Sequence, residues 1–222
     1  MSKKEAIKPT IIFDFDGTLA DTFGELVHIY NKIAPHFDCI QVKEKDIEKL
    51  RNKRPQDFMD DYNVSKRKLP FLIIKGRKIL KKRIKEIKAF EGIPELILEL
   101  KKYGYQIGIL TSNSQKNIKL FLKHNSLEKH FSFIYNGKNL FGKSKKLKKI
   151  LKEQKLKPGE IIMIGDETRD IEAAHKMKVP IIAVTWGFNA SKVLQEQKPA
   201  FMAKRPGDIF EFVKDYQVHD KK

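Results

Sequence analysis

Asp14 and Asp16 stand one residue apart in the run Ile11-Ile12-Phe13-Asp14-Phe15-Asp16-Gly17-Thr18-Leu19. The run begins apolar, like a buried parallel strand, and Gly17 breaks it. The two carboxylates therefore fall at or just past a strand's C-terminal end, the edge where open α/β sheets bind ligands. Two like charges buried together are costly without a compensating cation, so the pair invites a metal ion. A solvated Asp-Gly turn would use the same residue types. Two further runs carry chemistry of a compatible kind. Thr111-Ser112-Asn113 follows the apolar Ile107–Leu110 and offers hydroxyls, an amide and helix-start N–H groups, which suit a phosphate oxygen or serve as an ordinary cap. Gly165-Asp166-Glu167-Thr168-Arg169-Asp170 follows Ile161–Ile164, and Asp166 and Asp170, four apart, face one point if the loop turns into a helix. Lys143, in Phe141-Gly142-Lys143-Ser144, lies between these two runs in chain order.

The elements that must position these residues are legible as apolar strands. After the first come Tyr105–Thr111, Phe131–Tyr135, Ile161–Gly165 and Pro180–Thr185, with Ala200–Lys204 as a short addition and Gly207–Tyr216 as a closing helix. Strands alternating with helical patterns predict an α/β fold, a doubly wound and mostly parallel sheet. Between Leu19 and about Lys88 the alternation stops. Phe23–Ala34, Glu44–Leu50 and Phe71–Ile87 carry apolar residues at three- and four-residue spacing, so a helical insertion is expected beside the active edge. Pro94 restarts the sheet domain at a helix's first turn. Trp186-Gly187-Phe188, after the last core strand, reads as a packed loop.

The chain's 222 residues suit one domain with a sizeable insertion. The 46 Lys+Arg against 28 Asp+Glu give a net charge of +18. The excess gathers in residues 66–88, with eleven cations against Glu86, and in 143–157, with eight lysines against Glu153. Such stretches suit nucleic acid, anionic lipid or anionic small molecules. Lysine outnumbers arginine and few aromatics interleave, which favours solvated helix faces and makes a nucleic-acid partner the less favoured expectation. Cys39 is the only cysteine, so no intrachain disulfide forms, and it reads as a packed small residue. The start of the chain lacks an uninterrupted apolar segment, and no run is long enough to span a membrane. A cytoplasmic protein without a membrane partner is expected.

Taken in order, these runs resemble the motifs of the haloacid dehalogenase-like (HAD) hydrolase superfamily, in its phosphoglycolate-phosphatase-like branch. Asp14-Phe15-Asp16-Gly17-Thr18-Leu19 with Asp21-Thr22 is similar to the first motif, Thr111-Ser112-Asn113 to the second, Lys143 to the third and Gly165-Asp166 through Asp170 to the fourth. The resemblance implies a HAD-like Rossmannoid core and a phosphatase acting on a small phosphorylated metabolite. It makes Asp14 a nucleophile that forms an aspartyl-phosphate and Asp16 the acid and base. It implies Mg2+ held by Asp14, the Asp16 carbonyl and Asp166. Thr111 and Lys143 would neutralise phosphoryl oxygens, Ser112 and Asn113 would add polar substrate contacts, and Asp170 would orient Lys143 or a metal-bound water.

The resemblance also divides the chain into a core, residues 1–19 and 89–222, and a helical cap, residues 20–88, inserted after the first strand. Arg51 and Arg54 in the cap would grip a substrate carboxylate or second phosphate, unless they form a solvated basic loop. Within the same fold, a sugar phosphomutase is an alternative to a hydrolase. A nucleic-acid-binding or end-processing phosphatase using the basic cap is another. Substrate identity and oligomeric state stay open at this level.

Overall fold

The computed structural model describes residues 8–53, 55–137, 142–216 and 218. Six strands, β1 (Thr10–Phe13), β2 (Ile107–Thr111), β3 (Phe133–Asn136), β4 (Ile161–Gly165), β5 (Ile181–Val184) and β6 (Phe201–Ala203), form one parallel sheet ordered β3-β2-β1-β4-β5-β6. The chain winds from β1 to one edge and from β4 to the other. The order therefore reverses between β1 and β4, where Ile11 lies opposite Ile162. A reversal of this kind splays the following connections apart and leaves a crevice at the strands' C-terminal ends.

The connections are helical: α1 (Phe23–Ile33), α2 (Ile47–Leu50), α3 (Pro55–Asp61), α4 (Leu69–Arg83), α5 (Ile93–Lys102), α6 (Gln115–His124), α7 (Lys143–Glu153), α8 (Thr168–Lys176), α9 (Ser191–Glu196) and α10 (Pro206–Asp215). Both sheet faces are covered, which explains why the central strands read as unbroken apolar runs. Ile11, Phe13, Ile107, Ile109, Ile162 and Ile164 face one core, while Ile12, Leu110, Ile161 and Met163 face the other. The first core runs on without a break into α1 and α4, through Ile29, Ile33, Leu72 and Leu80. Phe15 anchors that continuity with its ring edge-on to Phe121 at 4.9 Å.

The α/β reading from sequence holds, with local differences. Tyr105 is buried but precedes β2, and β3 begins two residues later than its apolar run, because Glu128–His130 forms a 3-10 turn and Phe131 follows it as the cap. Glu44–Leu50 divides into a 3-10 turn at Glu44–Asp46 and the single-turn α2. Helix α3 went unanticipated, since its apolar face is only Phe58 and Met59. Lys78, Lys81, Lys82 and Lys85 on and after α4, and Lys145, Lys148 and Lys149 on α7, are exposed. Cys39 is buried. No helix among the described residues is long and apolar enough to cross a membrane.

Phe121→Ala removes a fully buried ring and its partner contact with Phe15. Unfolding in urea is expected to show a loss of about 3–5 kcal/mol with an unchanged slope.

Candidate active site

Three adjacent strands, β2, β1 and β4, end side by side, and each delivers part of one cluster. Asp14 follows β1 directly and its N–H donates to the Ile164 carbonyl at 2.8 Å, so the sheet ladder itself fixes where its carboxylate points. Thr111 closes β2, and Asp166 follows β4. Lys143 is the first residue of α7 and is buried. Its ammonium bridges two carboxylates: it lies 2.7 Å from Asp14 Oδ2 and also pairs with Asp170 Oδ1. The second oxygen of Asp170 accepts the Glu167 N–H at 3.2 Å, so this side chain is committed on both oxygens.

Asp166 is fully buried at the same point. Thr18 Oγ1 donates to its Oδ1 at 2.6 Å and the Phe188 N–H to its Oδ2 at 2.8 Å. These bonds require close packing around the carboxylate. Gly17, at φ +79°, and Gly187 both lie so near Asp166 that a Cβ at either position would overlap its side chain. Asp16 is partly exposed and accepts hydrogen bonds from Asn113 Nδ2, at 3.0 Å to each oxygen. Asn113 is itself held by the Ser114 N–H at 2.7 Å and by Asn117 Nδ2 at 3.1 Å on Oδ1.

The electrostatics separate the carboxylates. Burial pushes the Asp14 carboxyl up, Lys143 opposes that shift, and Asp170 adds to it. Burial, and then the Asp14 charge, push Asp16 up to about 7 against the pull of Asn113. Asp166 is driven well up, first by burial and then by Glu167, Asp14 and Asp170. Burial would lower the Lys143 ammonium, but Asp14 and Asp170 outweigh it and raise it. Arg169 is half-buried and pairs with Glu167, with Nη2 at 3.0 Å from Oε1. Among the described residues, the site thus gathers Asp14, Asp16, Asp166, Glu167 and Asp170 around Lys143 and Arg169, with Arg77 beside Asp16. An additional cation would relieve that imbalance. Oxygens of Asp14, Asp166 and Asp170 lie within 4.8 Å of one another, and such all-oxygen donors suit a hard divalent ion.

Of the residues expected from sequence, Asp14, Asp16, Thr111, Ser112, Asn113, Lys143, Asp166 and Asp170 lie at these neighbouring strand ends and helix starts. Arg51 does something other than line the substrate space. Its guanidinium donates to the Gly187 carbonyl and lies 4.6 Å over the Phe23 ring, which ties α2 to the loop after β5. Arg54 lies outside the described residues. Sequence reasoning passed over Thr18, Phe188, Asn189, Glu167, Arg169 and Arg77. Thr18, Glu167 and Arg169 lay within the quoted runs and were visible as buriable polar neighbours of acids. The Trp186-Gly187-Phe188 loop is packed, as read, but it also supplies the N–H on Asp166. Arg77 reaches from α4 to the Ser112 carbonyl and, at 3.4 Å, to that of Gly137.

A family model described as haloacid dehalogenase-like hydrolase matches residues 11–184. This chain is a haloacid dehalogenase-like hydrolase. It is 32% identical over 203 residues to a phosphoglycolate phosphatase of Synechococcus elongatus, covering 91% of this chain and 96% of that protein. It is 26% identical over 204 residues to the pyrophosphatase PpaX of Bacillus mycoides, covering 90% and 94% of the two chains. A predicted phosphatase from Clostridium acetobutylicum has a similar structure, with a TM-score of 0.82 and 26% identity over 95% of this hydrolase and all (100%) of that chain. The HAD-like fold implied by the motifs is therefore the fold this hydrolase has.

Lys143 is buried between two carboxylates, whereas Lys145, two residues further on, is exposed. Lys143→Ala leaves Asp14 and Asp170 facing each other and is expected to cost about 3–5 kcal/mol of stability. Lys145→Ala should stay within about 0.5 kcal/mol of the parent in the same urea titration.

Proposed function

We propose that this hydrolase is a Mg2+-dependent phosphatase that cleaves a small phosphomonoester through an aspartyl-phosphate on Asp14. The observation that carries this reading is the division between two neighbouring carboxylates. Asp14 is buried against the Lys143 ammonium, while Asp16 is partly exposed, bonded to the Asn113 amide, and pushed up to about 7. The Lys143 ammonium favours the anion of Asp14 against its burial, and Asp16 can carry a proton near neutrality, which is the separation acid–base chemistry needs. The names of the relatives, a phosphoglycolate phosphatase and a pyrophosphatase, support phosphoryl chemistry.

In this reading an Asp14 oxygen attacks phosphorus and the bond to the leaving oxygen breaks. Asp16 gives its proton to that oxygen, so the alcohol departs neutral. Asp16 then takes a proton from the incoming water, whose oxygen bonds to phosphorus as the Asp14–phosphorus bond breaks and restores the carboxylate. Lys143 holds Asp14 in position and balances charge on the phosphoryl oxygens together with Thr111, while the Ser112 and Asn113 groups line the entry. Asp14, Asp166 and the Asp16 carbonyl would hold Mg2+, which shields the anionic nucleophile from the anionic phosphate. Asp170 acts through Lys143, since both of its oxygens are already committed. Residues 20–88 form a cap and residues 1–19 and 89–222 the core, with a small phosphorylated metabolite as partner and a cytoplasmic setting.

Asp14→Asn is expected to lower hydrolysis of p-nitrophenyl phosphate at least about 10³-fold with an unchanged melting temperature. Retained turnover would remove the nucleophile. Asp16→Asn should lose about 10²–10⁴-fold on an alkyl phosphate, whose leaving oxygen needs a proton, and only about tenfold on the nitrophenyl ester. A chelator should abolish activity and Mg2+ restore it. Asp166→Ala should raise the Mg2+ concentration for half-activity more than Asp170→Ala does, and the opposite ranking would reverse their roles.

A further inference from the structure

A cavity of about 360 Å³ opens from the catalytic edge into the helical segment, at the lower end of the range for small-molecule sites. Most of its polar groups belong to the edge. Asp16, Ser112 and Asn113 come from the loops after β1 and β2, and Glu167, Arg169 and Asn189 from those after β4 and β5. The remaining wall, supplied largely by α1, α3 and α4, is mostly hydrocarbon and aromatic, with Leu26, Val27, Tyr30, Phe58, Met59 and Ile73 among its members. Tyr30 presents its ring, because its hydroxyl donates to the Ile40 carbonyl at 2.8 Å.

Among the described residues, each cation on this cavity has a partner. Lys53 pairs with Asp61, Arg169 with Glu167, and Arg77 donates to the Ser112 and Gly137 carbonyls. A leaving group carrying its own carboxylate or second phosphate would have to shed its hydration against this wall, break one of the two ion pairs or draw Arg77 away from its carbonyls, and each costs free energy. An apolar body gains by entering. Helix α4 also places Gly76 on the wall, where a Cβ would find only Ile29 and Ile33, at 3.7 and 3.9 Å. A glycine inside a helix costs stability, and here its lack of a side chain leaves room open.

We propose that this cavity receives the leaving group, and that the enzyme prefers phosphomonoesters of uncharged alcohols with an aliphatic or aromatic body over short, carboxylated ones. This rests on the phosphomonoesterase reading above and adds to it the chemical class of the alcohol. The consequence is a chain-length dependence. Each methylene taken from water into the wall raises kcat/KM roughly fourfold until the cavity is full.

The test is a set of kcat/KM values for ethyl, butyl and hexyl phosphate and for 2-phosphoglycolate, with Mg2+, on the full chain. The three alkyl esters share a primary alkoxide leaving group, so differences among them report binding of the chain rather than bond cleavage. A rise of about tenfold or more from ethyl to butyl, with hexyl phosphate preferred to 2-phosphoglycolate, is expected. A flat series, or a preference for 2-phosphoglycolate, overturns the inference and leaves the phosphatase reading standing. No hydrolysis of any of the four, nor of p-nitrophenyl phosphate, overturns both. Gly76→Leu, which pushes a side chain into the cavity, should flatten or reverse the chain-length series, with its fold checked by thermal melting. A folded Gly76→Leu enzyme with the parent's dependence would place the alkyl chain elsewhere and overturn the assignment of this cavity.

Discussion

The ion pair between Lys143 and the two carboxylates on either side of it is the interaction on which the site depends. Asp14 and Asp170 arrive from opposite sides of the reversal in strand order, one after β1 and one in the first turn of α8. Without a cation between them they would repel inside a region that water does not reach. With Lys143 in place, one oxygen of Asp14 is pinned, and the backbone bond to Ile164 fixes the rest of that residue. Position here comes from two directions at once, the sheet below and the ammonium beside it.

That arrangement still leaves more negative than positive charge. The upward shifts at Asp14, Asp16 and Asp166 share one cause, burial reinforced by neighbouring carboxylates. Thr18, the Phe188 N–H and the Asn113 amide each offset part of it by donating a hydrogen bond. The glycines that let this packing happen, Gly17 and Gly187, matter because of what stands next to them and not because of flexibility.

Much of this could be read from the chain before folding. Buried parallel strands leave long apolar runs, and the polar residues that interrupt them fall at the sheet's working edge, so Asp14, Asp16, Thr111 and Asp166 announced themselves by position. Asp170 followed from helical spacing. Lys143 was recognisable only by order, because the lysines around it look alike until burial distinguishes them. The pairing of Arg77 with Ser112, or of Asn189 with the Arg51 and Lys53 carbonyls at 3.2 and 3.1 Å, leaves no local trace, since each joins segments far apart in sequence. The apolar wall was hidden for another reason. Helical periodicity marks which face is inward, but not whether the inward faces meet or leave a space.

Those long-range attachments have a further meaning. Arg77, Asn189 and Arg51 all bind main-chain carbonyls across the junction between the inserted helices and the sheet, and the Ala190 N–H meets the Arg51 carbonyl at 2.7 Å. A carbonyl acceptor survives replacement of the side chain beside it. Much of the seam therefore does not depend on residue identity on its accepting side. The interior of the insertion can be rewritten during evolution while its mounting on the catalytic edge persists, which lets one chemistry be lent to a succession of differently shaped molecules.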